Sequence, residues 1–428
     1  MPTTISSVAC TVCGCVCDDL AVTVEGGRIT KAERACALAE PWLLAQDATR
    51  LLPVDLDADY ARAAEILTAS RSPLIYGLSR STTEGQRAAV ALADAIGATI
   101  DTTASTGHAP SIMALQQVGE STCTLGEAKN RADLVIFWGS DPVTTHPRHL
   151  ERYSGDATGR WIPGGRADRF IVVVDETETA TAKLADLFIR VEPGRHWDAL
   201  WTLRLLASRA GHGTGASHHP SATPNPSVDT LGSPEFTDLA NRMTACRCGV
   251  VFFGSGITRG KLAHRTVEAL LQLVTDLNDH TRFYARRMRR FGDVAGADSV
   301  LTWQTGFPFG VNLGRGYPRY NPGEFTGPDM LARGEVDACV IVGSDTAADL
   351  PAAALDHLRR IPVILLDSPG EKAVVRAEVT FTTAVYGVHR PGTAYRMDEV
   401  PVPLRVLLPT DLPSDGEVLG ELLRRVVL

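Results

Sequence analysis

Short apolar runs that end in glycine or aspartate recur along this chain, and they restrict the possible folds more than any other feature of the sequence. The runs are PLIYG (73–77), LVIFWGSDP (134–142), FIVVVDE (170–176), GVVFFGSG (249–256), ACVIVGSD (338–345) and PVILLD (362–367). Segments with helical spacing of apolar residues lie between them, for example 82–98 and 265–277. Continuous apolar strands separated by helices are typical of parallel sheets buried on both faces. The sequence therefore predicts an α/β fold.

Small and acidic residues follow these runs. Ligands of open α/β sheets bind at the carboxyl ends of the strands. Glycine allows a ligand to approach the backbone there, and a carboxylate can accept hydrogen bonds from a nucleotide. A single Gly-Ser-Asp is also an ordinary turn, but its repetition favours a binding edge. The predicted cofactor-binding residues are Gly139, Asp141, Asp175, Gly343 and Asp345.

Length and composition limit the class of protein. The chain has 428 residues, 44% of them apolar and 21% charged, which predicts a globular protein of two or three domains. The net charge of −8 argues against nucleic-acid binding, and the arginine-rich 284–293 is interpreted as a solvated or partner-facing turn. The sequence has no apolar stretch of about 20 residues and no signal-peptide pattern. We therefore expect a cytoplasmic protein that does not bind a membrane.

Four of the nine cysteines lie within residues 10–17. Cys10, Cys13, Cys17 and Cys36 form a C-x2-C-x3-C-x18-C pattern, and Cys15 is a spare. Three close thiolates and a distant fourth suit a [4Fe–4S] cluster. A zinc site with four thiolates is the alternative, and unliganded core cysteines are a third interpretation. A disulfide framework is not expected in a reducing compartment. The residues after the cluster predict a hairpin that turns at Gly26-Gly27.

Residues 207–246 have the composition of an exposed insertion. Gly, Ser, Pro and His dominate the first half, which predicts a poorly ordered loop over about 207–245. His218 and His219 are interpreted as loop histidines rather than metal ligands. Cys246 and Cys248, at the start of the next strand, are interpreted as structural.

Several segments together resemble one known family. They are the cysteine set, TASTGHAPSIMALQQVGESTCTLGEAKNRADLVIFWGSDP (103–142), THPRHLERYS (145–154), VLTWQTGFPFGVNLGRGYPRYNPGE (300–324) and GTAYRMDEVPVPLR (392–405). The chain is similar over nearly its whole length to the B subunit of formylmethanofuran dehydrogenase, of the molybdopterin oxidoreductase superfamily. Within that superfamily, residues 172–194 look like a pterin-guanosine strand and turn. The resemblance also favours [4Fe–4S] for the cysteine set.

The resemblance also implies an active-site departure. In the dehydrogenases a Cys or selenocysteine before H-x-P-S binds molybdenum or tungsten, and the matching residue here is Gly107. Neither Gly107 nor its neighbour Thr106 supplies the soft thiolate that such a metal prefers. His108 matches a second residue of the family's site and is interpreted as a hydrogen-bonded pocket histidine. We therefore expect no tungsto- or molybdopterin and no redox activity of the chain's own.

A family member without this ligand resembles the B subunit of the bacterial formyltransferase/hydrolase complex, which acts in tetrahydromethanopterin- and methanofuran-linked one-carbon metabolism. The resemblance implies partners: amidohydrolase, formyltransferase and carrier-binding subunits. The chain would be their non-redox scaffold. The alternative is a catalytic subunit of a tungsten or molybdenum formylmethanofuran dehydrogenase with altered metal ligation.

The superfamily pattern implies three domains and no C-terminal barrel. Residues 1–52 form the cysteine domain, and 51–57 are a linker. Residues 56–105 plus 295–428 form the first doubly wound lobe, and 106–294 form the second. We expect Gly-rich segments 306–323 and 387–398 to close over the lost cofactor. Arg315, Arg319 and Arg396 would then bridge to Asp141, Asp175 or Asp345.

Overall fold

A computed structural model of the protein describes residues 1–48, 56–210, 233–370 and 374–428. Most of the expected linker 51–57 lies outside these ranges, as do His218, His219 and residues 211–232 of the predicted loop. Within the described ranges, no helix has the length and apolar character needed to cross a membrane.

The strands are short, and most are apolar. In chain order they are β1 Thr3–Val8, β2 Leu20–Glu25, β3 Arg28–Glu33, β4 Pro73–Gly77, β5 Thr99–Thr102, β6 Leu134–Trp138, β7 Phe170–Asp175, β8 Leu187–Arg190, β9 Cys248–Phe253, β10 Arg282–Arg287, β11 Val311–Asn312, β12 Arg319–Tyr320, β13 Ala338–Val342, β14 Val363–Asp367, β15 Val379–Thr382, β16 Gly392–Tyr395 and β17 Pro401–Leu404. The six apolar runs of the sequence all contain one of these strands, so that prediction is confirmed.

Helices connect most of the strands. In chain order they are α1 Ala39–Leu44, α2 Leu56–Ala69, α3 Thr83–Ile96, α4 Ala104–Gly107, α5 Ala109–Val118, α6 Leu125–Arg131, α7 Pro142–Thr145, α8 His196–Ala210, α9 Pro234–Ala245, α10 Ser255–Thr258, α11 Ala263–Leu277, α12 Val294–Thr305, α13 Gly327–Ala332, α14 Ala352–Leu358 and α15 Asp415–Val427. A π-helical turn spans Leu150–Ser154, and 3₁₀ turns span Gly165–Asp168, Ala182–Leu184 and Ser344–Ala347.

The chain divides into two compact units. Unit 1 contains Met1–Gly107 and Arg289–Leu428, and unit 2 is the continuous segment His108–Met288. The chain therefore passes between the units at 107/108 and at 288/289. The cysteine segment belongs to unit 1 in this division. The three-domain assignment made from the sequence stays a prediction.

Unit 1 contains a seven-stranded sheet in the order β12-β11-β5-β4-β13-β14-β15. Strands β5, β4, β13, β14 and β15 are parallel, and β11 runs antiparallel to β5. One apolar core joins the sheet to α2, α3, α12 and α15. A second core joins the other face to α13 and α14. Helices on both faces explain why these strands appear in the sequence as continuous apolar runs.

Unit 2 contains a five-stranded parallel sheet in the order β10-β9-β6-β7-β8. Its large core joins the sheet to α5, α8, α9 and α11. On the other face, the ring of His149 packs edge-on against Phe252 at a centroid distance of 4.7 Å. Both sheets of this α/β fold are thus covered by packed side chains on two faces.

The N-terminal segment forms a small antiparallel sheet of three strands, β1-β2-β3. The predicted hairpin between β2 and β3 is confirmed, and it turns at Gly26 and Gly27, with φ of +58° and +77°. Glycine adopts these left-handed angles without a Cβ clash, which suits the tight turns that hairpins prefer.

Both ends of the predicted loop 207–245 are helical, so the prediction was wrong there: residues 207–210 belong to α8, and the last twelve residues form α9. Residues 234–245 form α9, which begins with a proline and buries Phe236, Leu239, Ala240 and Met243. These residues recur at intervals of three and four, the spacing of one face of an amphipathic helix. The Pro- and Gly-rich composition of the neighbouring residues concealed this short pattern.

The arginine-rich segment 284–293 is largely buried and begins within a strand, which contradicts its interpretation as a solvated or partner-facing turn. Arg286, Arg287 and Arg289 are 1%, 8% and 3% exposed. The Arg287 guanidinium lies 3.1 Å from the buried Glu120 carboxylate, and Arg289 pairs with Asp298. The run contains the end of β10. Two of its buried arginines face carboxylates from outside the run, and the third, Arg286, donates to the Thr122 hydroxyl at 3.0 Å. Arg290, paired with Asp349, is the solvated member.

Arg287→Met should lower the free energy of unfolding by about 3–5 kcal/mol, because it leaves the Glu120 carboxylate buried without its cation. Arg290→Met is the matched control, and it should change stability by about 1 kcal/mol or less because its ion pair is exposed. Urea unfolding of both variants measures the difference. Equal effects of the two substitutions would contradict the burial of Arg287.

Candidate functional site: the carboxyl ends of the parallel strands

The strand order of the unit 1 sheet reverses between the neighbouring strands β4 and β13. From β4 the sheet continues to β5 on one side, and from β13 it continues to β14 and β15 on the other. Residues after β4 and β13 therefore face a crevice at the carboxyl edge, where α/β proteins bind ligands. Arg80 follows β4, and the predicted residues Gly343 and Asp345 follow β13.

Arg80 joins this edge to the cysteine segment. Its Nε and Nη2 donate hydrogen bonds to Oδ2 of Asp345 at 2.9 and 2.7 Å. Its Nη1 donates to the carbonyl oxygens of Thr11 and Val12 at 3.2 and 3.1 Å. Burial lowers the pKa of Arg80, but the Asp345 carboxylate and the Tyr386 hydroxyl together outweigh burial and leave the pKa raised, so the guanidinium stays charged. No local pattern marks Arg80 in the sequence, because its partners lie more than 60 residues away.

Close backbone contacts complete this attachment. The Gly14 amide donates to the Arg290 carbonyl oxygen at 3.2 Å, and the Met397 amide donates to the Gly14 carbonyl oxygen at 2.8 Å. A Cβ on Gly14 would lie 2.1 Å from the Arg289 carbonyl oxygen, and one on Gly292 would lie 1.9 Å from that of Thr11. Only glycine fits at either position.

A pocket of about 220 Å³ lies at this edge of unit 1. Gly343 and Asp345 line it together with Arg80, Asp367 and Asp415. Burial raises the pKa of Asp367, and it raises that of Asp415 to about 6. Carboxyl groups of this kind can bind a heterocycle that presents N–H donors. The volume is below the roughly 300–1,000 Å³ of typical small-molecule sites, so the pocket fits a ring system and not a whole dinucleotide.

The cysteine set surrounds Cys10. Burial raises the pKa of the Cys10 thiol well above 9.0, and the nearby thiols of Cys13, Cys17 and Cys36 raise it further. The four members of the sequence pattern therefore lie close enough to interact. The donor chemistry of their thiols fits an iron–sulfur cluster or zinc. Even so, among the described residues no three His, Cys, Asp or Glu side chains are arranged to hold a metal ion.

The backbone of the cysteine segment is strained. Val16 has a φ of +36°, a region that β-branched residues rarely adopt, and its side chain is fully buried. The Val16 amide donates to the Cys13 carbonyl oxygen at 3.1 Å, and the Cys10 amide donates to that of Cys17 at 2.8 Å. These bonds fold residues 10–17 into a compact loop. Strain of this kind is found most often at functional sites.

Unit 2 has a similar reversal between β6 and β9. Gly139 follows β6 with a φ of +56°, and a Cβ there would lie 2.9 Å from Cα of Gly256. Asp141 accepts hydrogen bonds from the Thr181 amide at 2.9 Å and from the Thr144 hydroxyl at 2.6 Å. Burial raises the pKa of Asp141, but these bonds outweigh it and leave the pKa lowered. Asp141 therefore stabilises its own turn with the oxygens that a ligand would need.

Asp175, at the end of β7, accepts a hydrogen bond from the Glu176 amide at 2.7 Å. Burial raises the pKa of Asp175, while the backbone amides of Glu176 and Thr177, and to a smaller extent the neighbouring His196, oppose that shift. The Trp138 indole N–H donates to Nδ1 of His196 at 3.1 Å, and Nε2 of His196 lies 3.5 Å from Glu176. Burial lowers the pKa of His196, which favours the neutral ring. His196 was missed in the sequence, since its neighbours come from separate strands.

Gly107 and His108 are adjacent in the chain but belong to different units. Gly107 ends α4, and among the described residues no heavy atom outside its chain neighbours and its own helix backbone lies within 4 Å of the position of a Cβ there. His108 is buried, and its Nε2 lies 3.1 Å from the Met288 carbonyl oxygen, a distance at which the ring N–H donates. His108 and Met288 are the first and last residues of unit 2, so this bond joins its two ends. The interpretation of His108 as a pocket histidine stays a prediction.

Arg319 and Arg396, which were expected to bridge to Asp141, Asp175 or Asp345, contact other residues within unit 1. Asp345 pairs with Arg80, and Arg396 pairs with Asp398 at 2.6 Å. Arg319 donates to Asn312 at 2.6 Å and stacks over Phe325. Arg319 and Arg396 therefore contact residues a few positions away in their own segments.

Comparison with known proteins supports the resemblance seen in the sequence. The B subunit of tungsten-containing formylmethanofuran dehydrogenase 2 from Methanocaldococcus jannaschii is 38% identical over 441 residues, covering 99% of this chain and 98% of that protein. The chain belongs to the family of formylmethanofuran dehydrogenase B subunits. Another member of the group, the Fhc B subunit of the formyltransferase/hydrolase complex from Methylorubrum extorquens, is 28% identical over 335 residues, covering 78% of this chain and 83% of that protein.

Solved structures support the fold of this family member. The formyltransferase/hydrolase complex FhcABCD from Methylorubrum extorquens, determined with methylofuran, aligns with a TM-score of 0.71 at 24% identity, over 87% of this chain and 96% of that chain. Acetylene hydratase from Pelobacter acetylenicus aligns with a TM-score of 0.62 at 11% identity, over 98% of this chain and 69% of that one. No family model matches the sequence.

Gly292→Ala should destabilise the protein by about 1–3 kcal/mol, because its methyl group would overlap the Thr11 carbonyl oxygen and displace the cysteine loop. Gly107→Ala is the matched substitution in open space within a helix, and it should leave stability unchanged or raise it by about 0.5–1 kcal/mol. Thermal unfolding separates the two. A Gly107→Ala variant as unstable as Gly292→Ala would contradict the open space beside Gly107.

Arg80→Met should loosen the cysteine loop, because it removes the donor to the Thr11 and Val12 carbonyls while Asp345 remains partly solvated. We expect amide hydrogen exchange in residues 10–17 to become at least about tenfold faster, which corresponds to about 1.4 kcal/mol. Arg290→Met, which removes an exposed ion pair, is the control. Unchanged exchange in Arg80→Met would show that the backbone contacts alone hold the loop.

Proposed function

We propose that the chain is the B subunit of a formyltransferase/hydrolase complex and acts as a non-redox scaffold in tetrahydromethanopterin- and methanofuran-linked oxidation of formaldehyde to formate. One observation supports the proposal: residue 107, which precedes His108 in the segment ASTGHAPS, is a glycine. By the resemblance to the family's dehydrogenases, this position would correspond to their metal-binding Cys or selenocysteine. A glycine offers no side-chain atom to a metal. The neighbouring Thr106 hydroxyl donates to the Thr103 carbonyl oxygen at 3.0 Å and has a structural role.

The chemistry of the absent ligand explains why its loss matters. Tungsten and molybdenum held by dithiolene sulfurs favour a soft protein ligand, and a glycine cannot substitute for a thiolate. The residues around Gly107 thus do not fit a protein-ligated metallopterin. His108 is hydrogen-bonded through Nε2 to the Met288 carbonyl oxygen, a contact that joins the first and last residues of unit 2.

The partners follow from the proposed complex. The relative from Methylorubrum extorquens belongs by name to a formyltransferase/hydrolase complex, and the solved complex is FhcABCD. In this chain's complex, an amidohydrolase subunit would hydrolyse the formyl group, and formyltransferase and carrier-binding subunits would deliver it. This chain would hold those subunits together.

The cysteine set fits a structural role within that scaffold. Cys10, Cys13, Cys17 and Cys36 would hold a [4Fe–4S] cluster, with zinc as the alternative occupant. The apolar core against which this segment packs is small, and metal binding can supply folding energy to such a segment. Because the Cys10 thiol has a raised pKa, binding would displace its proton and strengthen as the pH rises.

A second candidate is a catalytic subunit of a tungsten or molybdenum formylmethanofuran dehydrogenase with altered metal ligation. The identity values favour it: 38% to the archaeal tungsten-containing enzyme against 28% to the Fhc protein. The acidic pocket beside Arg80 is also a place where part of a pterin cofactor could bind. In this candidate, the metal would lack a ligand from position 107.

Metal content and activity of the native complex, purified without oxygen, separate the two candidates. The scaffold role predicts tungsten and molybdenum far below one equivalent, with iron or zinc retained. It also predicts that Gly107→Ala and His108→Ala keep formyl hydrolysis within about twofold of wild type, since the chemistry would lie on other subunits. Gly420→Ala, another helical glycine with open space, controls for assembly.

Two results would reject the scaffold role. One is a stoichiometric amount of tungsten or molybdenum in the purified complex. The other is a loss of hydrolysis of about a hundredfold or more in His108→Ala with the complex still assembled, the size expected when a catalytic acid or base is removed. Either result favours a catalytic subunit.

A further inference from the structure

A groove lies on the surface of unit 2, between the first turns of α8 and α11. Its volume is about 500 Å³. Trp197 and Trp201 line it from α8, Lys261 and Leu262 from the turn before α11, and Arg265 and Ala269 from α11 itself. The groove does not include any of the predicted cofactor-binding residues, so the function proposed above leaves it unexplained.

The apolar side chains of the groove are unusually exposed. Leu262 is 67% exposed and Trp197 is 42% exposed. The rings of Trp197 and Trp201 are 5.6 Å apart, and the Arg204 guanidinium covers Trp201 at 4.3 Å. Tryptophan is enriched among residues that contribute most to protein–protein binding, and clustered exposed apolar side chains mark interaction surfaces.

The backbone holds Leu262 in this exposed position. Leu262 has φ of +57° and ψ of +27°, left-handed angles that are unfavourable for a leucine. It precedes α11, and its carbonyl oxygen accepts a hydrogen bond from the Arg265 amide at 2.8 Å. An unfavourable conformation that leaves an apolar side chain in solvent brings no stability to the isolated chain. Such features concentrate at functional sites.

The rim of the groove is positively charged, although the whole chain has a net charge of −8. Lys261 and Arg265 line the groove together with one acidic residue, Glu268. Lys261 is exposed, as is Arg259, which lies two residues before it in the chain, and no ion pair of either is found within the described part of the chain. Arg265 pairs with Glu268 at 2.6 Å and remains about half exposed. A partner segment with carboxylates would therefore complement this rim.

We propose that the groove binds a segment of a partner subunit, in which an apolar side chain packs against Trp197 and Leu262 and flanking carboxylates contact Arg259 and Lys261. The inference rests on the proposed place of the chain in a multi-subunit complex. The apolar centre with a charged rim is the usual arrangement of a protein interface. Charge complementarity favours an acidic segment over other polypeptides.

The test uses the native complex with a tagged copy of this chain. Leu262→Asp places a charge against the apolar segment and should weaken binding of one partner subunit about tenfold or more, so that the subunit dissociates during gel filtration. Leu184→Asp is the matched control, because Leu184 is 55% exposed in the same unit but lies outside the groove. Lys261→Glu should weaken binding less, and most strongly at low salt.

A photo-crosslinking residue at position 262 identifies the occupant. A crosslink to an apolar residue within about three positions of Asp or Glu in a partner subunit supports the proposal. Crosslinks to a second copy of this chain, or to its own residues 211–232, overturn it. If the Leu262→Asp complex stays intact, the groove does not bind a partner subunit, and the proposed function is not affected. If the tagged wild-type chain purifies from its native source without any other subunit, both the binding groove and the proposed role in a complex are rejected.

Discussion

The pairing of β4 with β13 is the contact on which unit 1 depends. It joins Pro73–Gly77 to Ala338–Val342 in parallel register, with Ile75 beside Val340. One strand comes from before unit 2 and the other from after it, so this pairing closes the unit. It also brings the two strand ends together, which explains how Arg80 and Asp345 meet. The attachment of the cysteine loop to the sheet edge follows from the same pairing.

The sequence was sufficient for the class of fold and for six buried strands, because buried parallel strands are recognisable as uninterrupted apolar runs. The shorter and more polar strands, such as β5, β8 and β10, were not predicted. The sequence also failed where long-range contacts decide the environment. Buried arginines in 284–293 look like surface residues until Glu120 and Asp298 are placed beside them. The helix 234–245 was hidden by the composition of its neighbours. Arg80 and His196 had no local signal, since their roles arise only from contacts between separate strands.

In the candidate site, too, the sequence predicted the position of residues better than their contacts. Gly343 and Asp345 do line a pocket, as their position after a strand suggested. Asp141 also follows a strand, yet its oxygens are used by Thr144 and Thr181. Position along a strand therefore predicts the edge at which a residue lies, but not whether its carboxylate is available. The thiols of Cys13, Cys17 and Cys36 lie close enough to Cys10 to raise its pKa.

The split of unit 1 has a consequence for how the chain is made. Unit 2 is continuous, so all of its residues have left the ribosome before β13 is synthesised. Domains generally fold as units during synthesis, which would let unit 2 fold while β4 still lacks its neighbour. Until β13 emerges, β4 presents an unpaired apolar edge, the kind of surface that promotes aggregation. Nascent chains of this protein should therefore depend on protection by chaperones between residue 77 and residue 342.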